Sequence, residues 1–113
     1  MNLSQIVERL SLESIVEPNE PNAEVTGGFC GDLLSHVLAA ARSGDLWITI
    51  QHHTNVVAVA QVAGLSAIII AHGRRPDDAT VSRAREGGIA LLASPEPAFE
   101  IAGRLHQLLS APA

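Results

Sequence analysis

Apolar runs of three to five residues alternate with polar loops and with helix-like segments along most of the chain. The runs at 46–50, 67–71 and 89–93 consist largely of Ile, Leu, Ala and Trp and predict β-strands, and residues 24–26 predict a shorter strand. The intervening segments place apolar residues at helical spacing and therefore predict α-helices. Strands joined by single helices are typical of right-handed crossovers and a parallel sheet. We expect an α/β fold: a three-layer domain with a mostly parallel sheet built from repeated βα units.

The loops carry the residues that start and stop helices. Small polar side chains that can cap a helix follow each predicted strand, and glycines follow three of the predicted helices. The run 67–71 is the most apolar of the strands, so it is expected at the centre of the sheet, covered on both faces. The predicted caps are Asp32, Thr54 or Asn55, Asp77 or Asp78, and Ser94. The predicted stops are Gly44, Gly64 and Gly87-Gly88. The predicted buried faces are Leu33, Leu34, Val37, Leu38 and Ala41 in one helix and Ala98, Ile101, Ala102, Leu105 and Leu109 in the last.

The first 22 residues have a different organisation from the rest. Residues 3–10 have the apolar spacing of an amphipathic helix, and residues 14–16 fit either a short strand or an apolar tether. The segment 18–22 contains two prolines and two asparagines, which break regular structure. We therefore predict an N-terminal helix and linker appendage at 1–22 and the α/β domain at 23–113.

The amino-acid composition limits the kinds of partner that the protein is expected to bind. Charged residues are 17% of the chain, below the usual quarter, whereas hydrophobic residues are 47%. This excess of apolar surface favours a homodimer. The net charge of −5 argues against nucleic acid, which requires a basic face, and the apolar runs are shorter than the ~20 residues of a membrane span. A single cysteine provides no internal disulfide, so a cytoplasmic protein is expected.

Small and polar residues cluster where the predicted strands end. The carboxyl ends of parallel strands meet at one edge of a sheet, and ligands bind in the crevice outside that edge. A small ligand is therefore expected there, with a nucleotide as a possible cofactor and no metal. The candidate ligand-binding residues are Thr26, Gly27, Gly28, Asp32, Thr49, His52, Asn55, His72 and Gly73.

Individual residues at this edge leave alternatives open. The glycines at 27–31 fit either an anion-binding loop or a tight turn, and the second reading is favoured because Asp32 would repel a phosphate. Histidines and a cysteine are zinc ligands, but the chain has neither Cys-x-x-Cys nor His-x-x-x-His spacing, so polar edge histidines that cap helices or cross a dimer interface are favoured over a metal site. Cys30 is interpreted as a small buried residue rather than a nucleophile, and Trp47 as a core residue.

Several segments in this order resemble the DRTGG domain family. They are Val25-Thr26-Gly27-Gly28, Gly31-Asp32-Leu33-Leu34-Ser35, Gly44-Asp45-Leu46-Trp47-Ile48-Thr49, Asn55 with the Ala-rich helix after it, Ala67-Ile68-Ile69-Ile70 followed by Gly73 and Pro76, and Gly88-Ile89 leading to Ser94. The resemblance covers roughly residues 15–109, although the literal string Asp-Arg-Thr-Gly-Gly is absent. DRTGG domains are regulatory modules, found beside CBS domains in some pyrophosphatases and ahead of the catalytic part of some phosphotransacetylases. They are similar to the amino-terminal domain of HPr kinase/phosphorylase.

The resemblance implies a stand-alone, non-catalytic regulatory or interaction module, dimeric, with a small ligand or a protein as partner. A kinase is excluded because the chain contains no lysine and no phosphate-binding Gly-x-x-x-x-Gly-Lys-Ser/Thr string. Two alternatives stay open: an adenine-nucleotide sensor and, less favoured, an enzyme of another type. The enzyme hypothesis lacks an evident acid, base or nucleophile constellation.

Overall fold

A computed structural model describes residues 1–111 of the chain, in which helices and strands alternate as the sequence predicts. Among these residues, no helix has both the length and the apolar character needed to span a membrane. The elements are α1 (Leu3–Arg9), β1 (Glu13–Val16), β2 (Gly27–Cys30), α2 (Leu34–Ala40), β3 (Asp45–Thr49), α3 (Asn55–Ala63), β4 (Ala67–Ile70), α4 (Asp78–Gly87), β5 (Ala90–Ala93) and α5 (Ala98–Ser110).

The strands form one sheet in the order β1-β5-β4-β3-β2. Strands β2 to β5 run parallel, and β1 pairs with β5 in the antiparallel direction. Strand β4 is the middle strand, and all its residues are 0% exposed, which confirms the central position predicted for this run. The sheet ends at two edge strands, β1 and β2.

Helices cover both faces of the sheet, and each face has its own apolar cluster. Helices α1 and α5 pack on one face, where Ile6 and Leu105 meet Ile69 of β4. Helices α2, α3 and α4 pack on the other, where Val37 and Val56 belong to the same cluster as Ile68. Burial of each such side chain is worth about 1.5–3 kcal/mol. The predicted three-layer α/β fold with a mostly parallel sheet is confirmed.

The N-terminal segment is built into this core. Helix α1 begins with a capping box in which Asn2 Oδ1 accepts from the Gln5 N–H at 2.9 Å and Gln5 Oε1 accepts from the Asn2 N–H at 2.8 Å. The helix buries Leu3 and Ile6. Residues 14–16, left open as strand or tether, lie in strand β1. The domain boundary after residue 22 stays a prediction.

Most of the predicted boundaries of α3 and α4 are correct. Gly64 and Gly88 follow the helices with φ of 70° and 71°, the left-handed conformation that glycine adopts without strain. Asp77 is the N-cap of α4, and its carboxylate accepts from the Thr80 N–H at 2.8 Å. Thr54 occupies the N-cap position of α3 but makes no side-chain capping bond.

Two predicted caps are wrong. The N-cap of α2 is Leu33 rather than Asp32, because the Asp32 carboxylate bonds to the end of β3 instead. The N-cap of α5 is Pro97 rather than Ser94, because the Ser94 hydroxyl accepts from the Glu96 N–H within the preceding turn. Both side chains stabilise a loop, and neither Leu33 nor Pro97 makes a side-chain capping bond.

The predicted buried face of α2 is also only partly correct. Val37 is fully buried, but Leu33 is 67% exposed and Leu38 47% exposed. Helix α2 is the outermost helix of its layer and lies next to edge strand β2, so only one of its sides meets the core. An apolar periodicity cannot reveal which helix lies at the end of a layer.

Strand β2 begins three residues later than the sequence predicts. Residues 24–26 contribute only an isolated bridge between Glu24 and Asn2, and the strand runs over Gly27–Cys30, the stretch interpreted as a loop. Glycines lack the side chains whose alternation identifies a strand, so the sequence pattern conceals this one.

Candidate functional site

The nine predicted ligand-binding residues fall into two groups at opposite ends of the parallel strands. Gly27 pairs with Asp45 and Gly28 with Leu46, the first two residues of β3, so both glycines lie at the amino edge of the sheet. Thr26 lies just before them and its N–H donates to Gly44 O at 3.4 Å. Their predicted place at the carboxyl edge is therefore wrong. The six others lie at or after the carboxyl ends of β2, β3 and β4: Asp32, Thr49, His52, Asn55, His72 and Gly73.

Asp32 and Thr49 join the ends of β2 and β3. Asp32 Oδ1 accepts from Thr49 Oγ1 at 2.8 Å and from the Ile50 N–H at 2.9 Å. Gln51 adds two bonds to the same turn: its Nε2 donates to Asp32 O at 2.9 Å and its N–H donates to Thr49 Oγ1 at 3.1 Å. These polar atoms bind one another, so they fix the loops rather than present free groups to a ligand.

His52 and His53 connect this turn to the start of α4. Their rings lie 4.3 Å apart between centroids, and His53 Nδ1 lies 3.2 Å from Asp77 Oδ2. Thr80 Oγ1 lies 2.6 Å from Asp77 Oδ1 and 3.0 Å from His52 O. Hydrogen bonds from the Thr80 hydroxyl and N–H, with a smaller contribution from His53, lower the pKa of Asp77 to about 2. Asp77 is therefore a fixed anion at neutral pH and serves as a helix cap.

His72 and Gly73 form a strained turn after β4. Their φ angles are 61° and 71°, the left-handed region that a histidine rarely adopts. The Arg74 N–H closes the turn by donating to Ala71 O at 3.2 Å. Three further hydrogen bonds hold it: the His72 N–H donates to Glu96 O, the Gly73 N–H to Ser94 O, and the Ala98 N–H to His72 Nε2 at 3.2 Å. His72 thus satisfies a donor at the start of α5, as the helix-capping interpretation of the edge histidines proposes. Asn55 is the exposed first residue of α3.

Cys30 is exposed at the end of β2, so its interpretation as a buried residue is wrong. Partial desolvation first, and the nearby Asp32 charge second, raise the pKa of its thiol. A raised pKa keeps the thiol protonated, which is the opposite of what a nucleophile needs.

Trp47 is the core residue that the sequence predicts, with 0% exposure and its Nε1 donating to Gly31 O at 2.8 Å. Within residues 1–111, no three His, Cys, Asp or Glu side chains converge as metal ligands would.

Concave surfaces lie on both sides of edge strand β2. The groove between β2 and α5, here called the α5 groove, has a volume of about 590 Å³; the groove between β2 and the end of α2, here called the α2 groove, has about 400 Å³. Gly28 opens the first one, because a Cβ at this position would lie 2.9 Å from Leu105 Cδ2. The α5 groove is lined by Thr26, Gly27, Gly28, Phe29, Cys30, Ile48, Phe99, Ala102, Gly103, Leu105, His106, Leu109 and Ser110, and the α2 groove by Thr26, Gly27, Gly28, Phe29, Ala40, Arg42, Ser43 and Asp45.

Phe99 is a functional candidate that the sequence reasoning missed. It is 84% exposed, which is unusual for an aromatic side chain. The signal was present in the helical spacing of α5, because Phe99 lies off the stripe that contains Ile101 and Leu105. Phe99 is a candidate contact residue because it lines the α5 groove beside other apolar side chains such as Ala102 and Leu109.

A third concave surface lies at the amino edge, beneath the linker that follows β1. It has a volume of about 460 Å³ and includes Glu20, Glu24, Ser43 and Ser66 in its lining. Glu24 is engaged by the N-terminal amino group, at 2.7 Å. The acidic lining disfavours an anionic ligand such as a phosphate.

Neither a protein-family model nor a curated protein matches the chain. A solved structure does: the CBS and DRTGG domains of the regulatory region of Clostridium perfringens pyrophosphatase, complexed with the activator diadenosine tetraphosphate. It superposes with a TM-score of 0.70 at 20% sequence identity, over 92% of this chain and 45% of that chain. The chain thus spans less than half of the structure it matches. The fold is DRTGG-like, which confirms the resemblance seen in the sequence as a likeness of fold.

Proposed function

We propose that this chain is a non-catalytic regulatory or protein-interaction module that works as a homodimer. The observation that carries the proposal is a contrast between two surfaces, the polar carboxyl edge of the sheet and the grooves beside edge strand β2. Polar groups at the carboxyl edge, such as Asp32 and Asp77, are held by their own loops, whereas the α5 and α2 grooves border an open sheet edge. The fold it shares with a pyrophosphatase regulatory region supports the same assignment.

The chemistry of the titratable groups also supports a non-catalytic role. A general base needs a pKa near the working pH, whereas that of Asp77 is about 2. A nucleophilic cysteine needs a lowered pKa, whereas that of Cys30 is raised. A cytoplasmic setting belongs to the proposal because Cys30 is the single cysteine of the chain.

An adenine-nucleotide sensor is the second candidate. The structurally similar pyrophosphatase regulatory region was crystallised with diadenosine tetraphosphate, which is the specific observation that favours it. At the carboxyl edge, the candidate residues Asn55, His72 and Gly73 are exposed and His52 is half-buried. Asp32, Asp77 and Asp78 lie at the same edge and would repel phosphates, which is why this function ranks second.

Thermal unfolding with and without ATP, AMP or diadenosine tetraphosphate separates the two candidates. A ligand at 100 times its Kd stabilises the folded protein by about 2.7 kcal/mol, so a sensor gives an upward shift in Tm that grows with nucleotide concentration. We expect no shift for an interaction module. If a shift appears, His52→Ala and the exposed His106→Ala locate the site: loss in the first variant places it at the carboxyl edge, and loss in the second places it in the α5 groove.

Sedimentation velocity at micromolar concentration tests the homodimer. The chain has a mass of 11.8 kDa, so a dimer sediments with twice that mass. A species of 11.8 kDa at every concentration used would contradict the dimeric part of the proposal.

A further inference from the structure

The β2 edge is an unprotected end of the sheet. Natural proteins block a free edge strand with charged side chains, proline, a bulge or a covering segment, because its unpaired N–H and C=O groups otherwise bind another strand. Strand β2 reads Gly27-Gly28-Phe29-Cys30 and contains none of these residues. Its pairing with β3 is continuous over all four positions, without a bulge. The edge is therefore open to a further strand.

The two grooves fit a strand at this edge. Successive side chains of a strand point to opposite faces of the sheet, so a strand added beside β2 directs them alternately towards the α5 groove and the α2 groove. Recognition by strand addition combines main-chain hydrogen bonds with pockets for alternate side chains. The β2 edge offers both features, with an open edge strand and a groove on each face.

Exposed apolar side chains border the same edge. The described residues include four exposed large hydrophobic side chains, and three of them belong to elements that flank β2. Phe99 lies in the α5 groove lining, and Leu33 and Leu38 lie on or next to α2. The fourth, Val62, is on α3 and is 79% exposed. A contact along β2 would thus cover Phe99, the most exposed of the four side chains.

The charge of the surface favours a second copy of this chain. Two copies that each carry a net charge of −5 repel, and a two-fold contact brings a surface against itself, so its own net charge must be close to zero. The two groove linings contain one basic residue, Arg42, and one acidic residue, Asp45, whose carboxylate accepts from the Arg42 N–H at 2.9 Å. The β2 edge is therefore a neutral surface on an acidic protein, complementary in charge to its own copy.

We propose that two copies associate through antiparallel pairing of their β2 strands, which joins their sheets into one continuous sheet. This inference rests on the proposed function and specifies its dimer interface. With the two-fold axis perpendicular to the sheet, the α5 helices lie side by side on one face. Helix α5 starts at the carboxyl edge and ends at the amino edge, so Phe99 of one copy meets the last turn of α5 in the second copy, near Leu109 and Ser110.

A stable contact requires a minimum buried area. A biological interface buries at least about 1,000 Å² in total, or about 500 Å² on each copy. Phe99, at 84% exposure, contributes roughly 150 Å² of this on each copy. The proposed contact therefore needs the strand and the two groove linings to supply the remainder, roughly 350 Å² on each copy.

Sedimentation velocity of the full chain with a matched pair of variants tests the interface. Phe99→Lys places a charge in the proposed contact, and Val62→Lys makes the same kind of change at a comparably exposed apolar residue on α3. We expect the wild type and Val62→Lys to be dimers, and Phe99→Lys to raise the dimer Kd at least about 30-fold, as loss of a hot-spot residue does. Both positions are exposed, so circular dichroism should show unchanged folding.

The outcomes separate this interface from the proposed function. A wild-type dimer that survives Phe99→Lys overturns the β2 interface but leaves the homodimeric module intact. A monomeric wild type overturns both the interface and the dimeric part of the proposed function.

Reactivity of the single cysteine provides a second measurement. Cys30 is exposed in one copy but lies in the proposed strand pair, so a thiol reagent should modify it more slowly as wild-type concentration rises through the dimer Kd. The same experiment on Phe99→Lys should show a rate that does not depend on protein concentration. A rate in the wild type that is equally independent of dimer formation would contradict β2 pairing, even if a dimer forms elsewhere.

Discussion

The two edge strands end the sheet in different ways. At the β1 edge, Arg75 donates two hydrogen bonds of 2.8 Å to the Glu13 carboxylate, the register shifts between Ser14 and Val16, and Pro18 follows the strand. Charge, irregularity and proline all hinder the addition of another strand. At the β2 edge none of these features occurs between Gly27 and Cys30.

The difference shows that the β1 edge is protected from pairing with a further strand and the β2 edge is not. The β1 edge belongs to the N-terminal segment, which turns back antiparallel to β5 and terminates the sheet within one chain. The β2 edge has two grooves and exposed apolar residues instead. A sheet that protects one edge and not the other is consistent with an interaction module whose contact surface is the unprotected edge.

Substitution of Gly28 should produce the largest loss of stability at the β2 edge. In Gly28→Val the new Cβ would lie 2.9 Å from Cδ2 of the buried Leu105 and push α5 away from the strand. We expect overpacking to lower the free energy of unfolding by about 1–3 kcal/mol, measured by urea denaturation at fixed protein concentration.

Cys30→Val is the matched control, since it changes an exposed position on the same strand. Its effect should stay within about ±0.5 kcal/mol. Equal effects of the two variants would show that the glycine is not required for the approach of α5.

Substitution of Gly88 tests the other side of the molecule, where the linker after β1 meets the start of β5. Gly88 has a φ of 71°, and a Cβ there would lie 2.7 Å from Asn19 Nδ2. Left-handed backbone costs a residue with a side chain about 1–2 kcal/mol, so Gly88→Ala should lower the midpoint of urea unfolding.

Gly73→Ala separates backbone strain from crowding. Gly73 also has a φ of 71°, but a Cβ added there would lie 4.0 Å from its nearest neighbour, Pro95 Cα. Gly88→Ala should therefore lower the free energy of unfolding more than Gly73→Ala does. The difference between the two losses measures the cost of the close contact between residue 88 and Asn19 in the linker.

The sequence predicts the fold well where side chains carry the pattern. Strand β4 is a continuous apolar run, and Gly64 and Gly88 end their helices in the conformation that only glycine adopts easily. These features depend only on residues that are close together in the chain, so the sequence pattern predicts them. Strand β2 has no such signal, because glycine supplies half of its positions.

The candidate site was only partly predictable for the same reason. Thr49 and His72 lie at the carboxyl edge as predicted, because strands β3 and β4 match the predicted apolar runs, and Asp32 lies there because it follows β2 under either placement of that strand. Misplacement of β2 moved Thr26, Gly27 and Gly28 to the wrong edge. The bonds that occupy Asp32 and His72 depend on residues 17 and 26 positions away in the chain, which no local pattern reveals.

A smaller effect of opposite sign is expected at Gly103 in the α5 groove. No heavy atom lies within 4 Å of the Cβ that an alanine would add there, and the residue is in the middle of a helix. Gly103→Ala should therefore raise the free energy of unfolding of the monomer by about 0.5–1 kcal/mol, measured by urea denaturation at a protein concentration below the dimer Kd. Ala102→Gly, the reverse change at the neighbouring position, should lower it. A loss of stability in Gly103→Ala would indicate that the groove is filled in solution.

The smallest effect is expected from the ion pair that protects the β1 edge, because both side chains are more than half exposed. The hydrogen bonds from Arg75 lower the pKa of Glu13, so the pair stabilises the folded protein above the unfolded-state pKa of Glu13 and loses this contribution as pH falls through the folded-state pKa. A double-mutant cycle with Glu13→Gln and Arg75→Gln, followed by Tm, should therefore show a small coupling at pH 7 that disappears in acid once Glu13 is protonated in both states. A coupling that persists in acid would mean that the pair acts through packing rather than charge, and the chemical contrast between the two edges would then rest on the bulge and the proline alone.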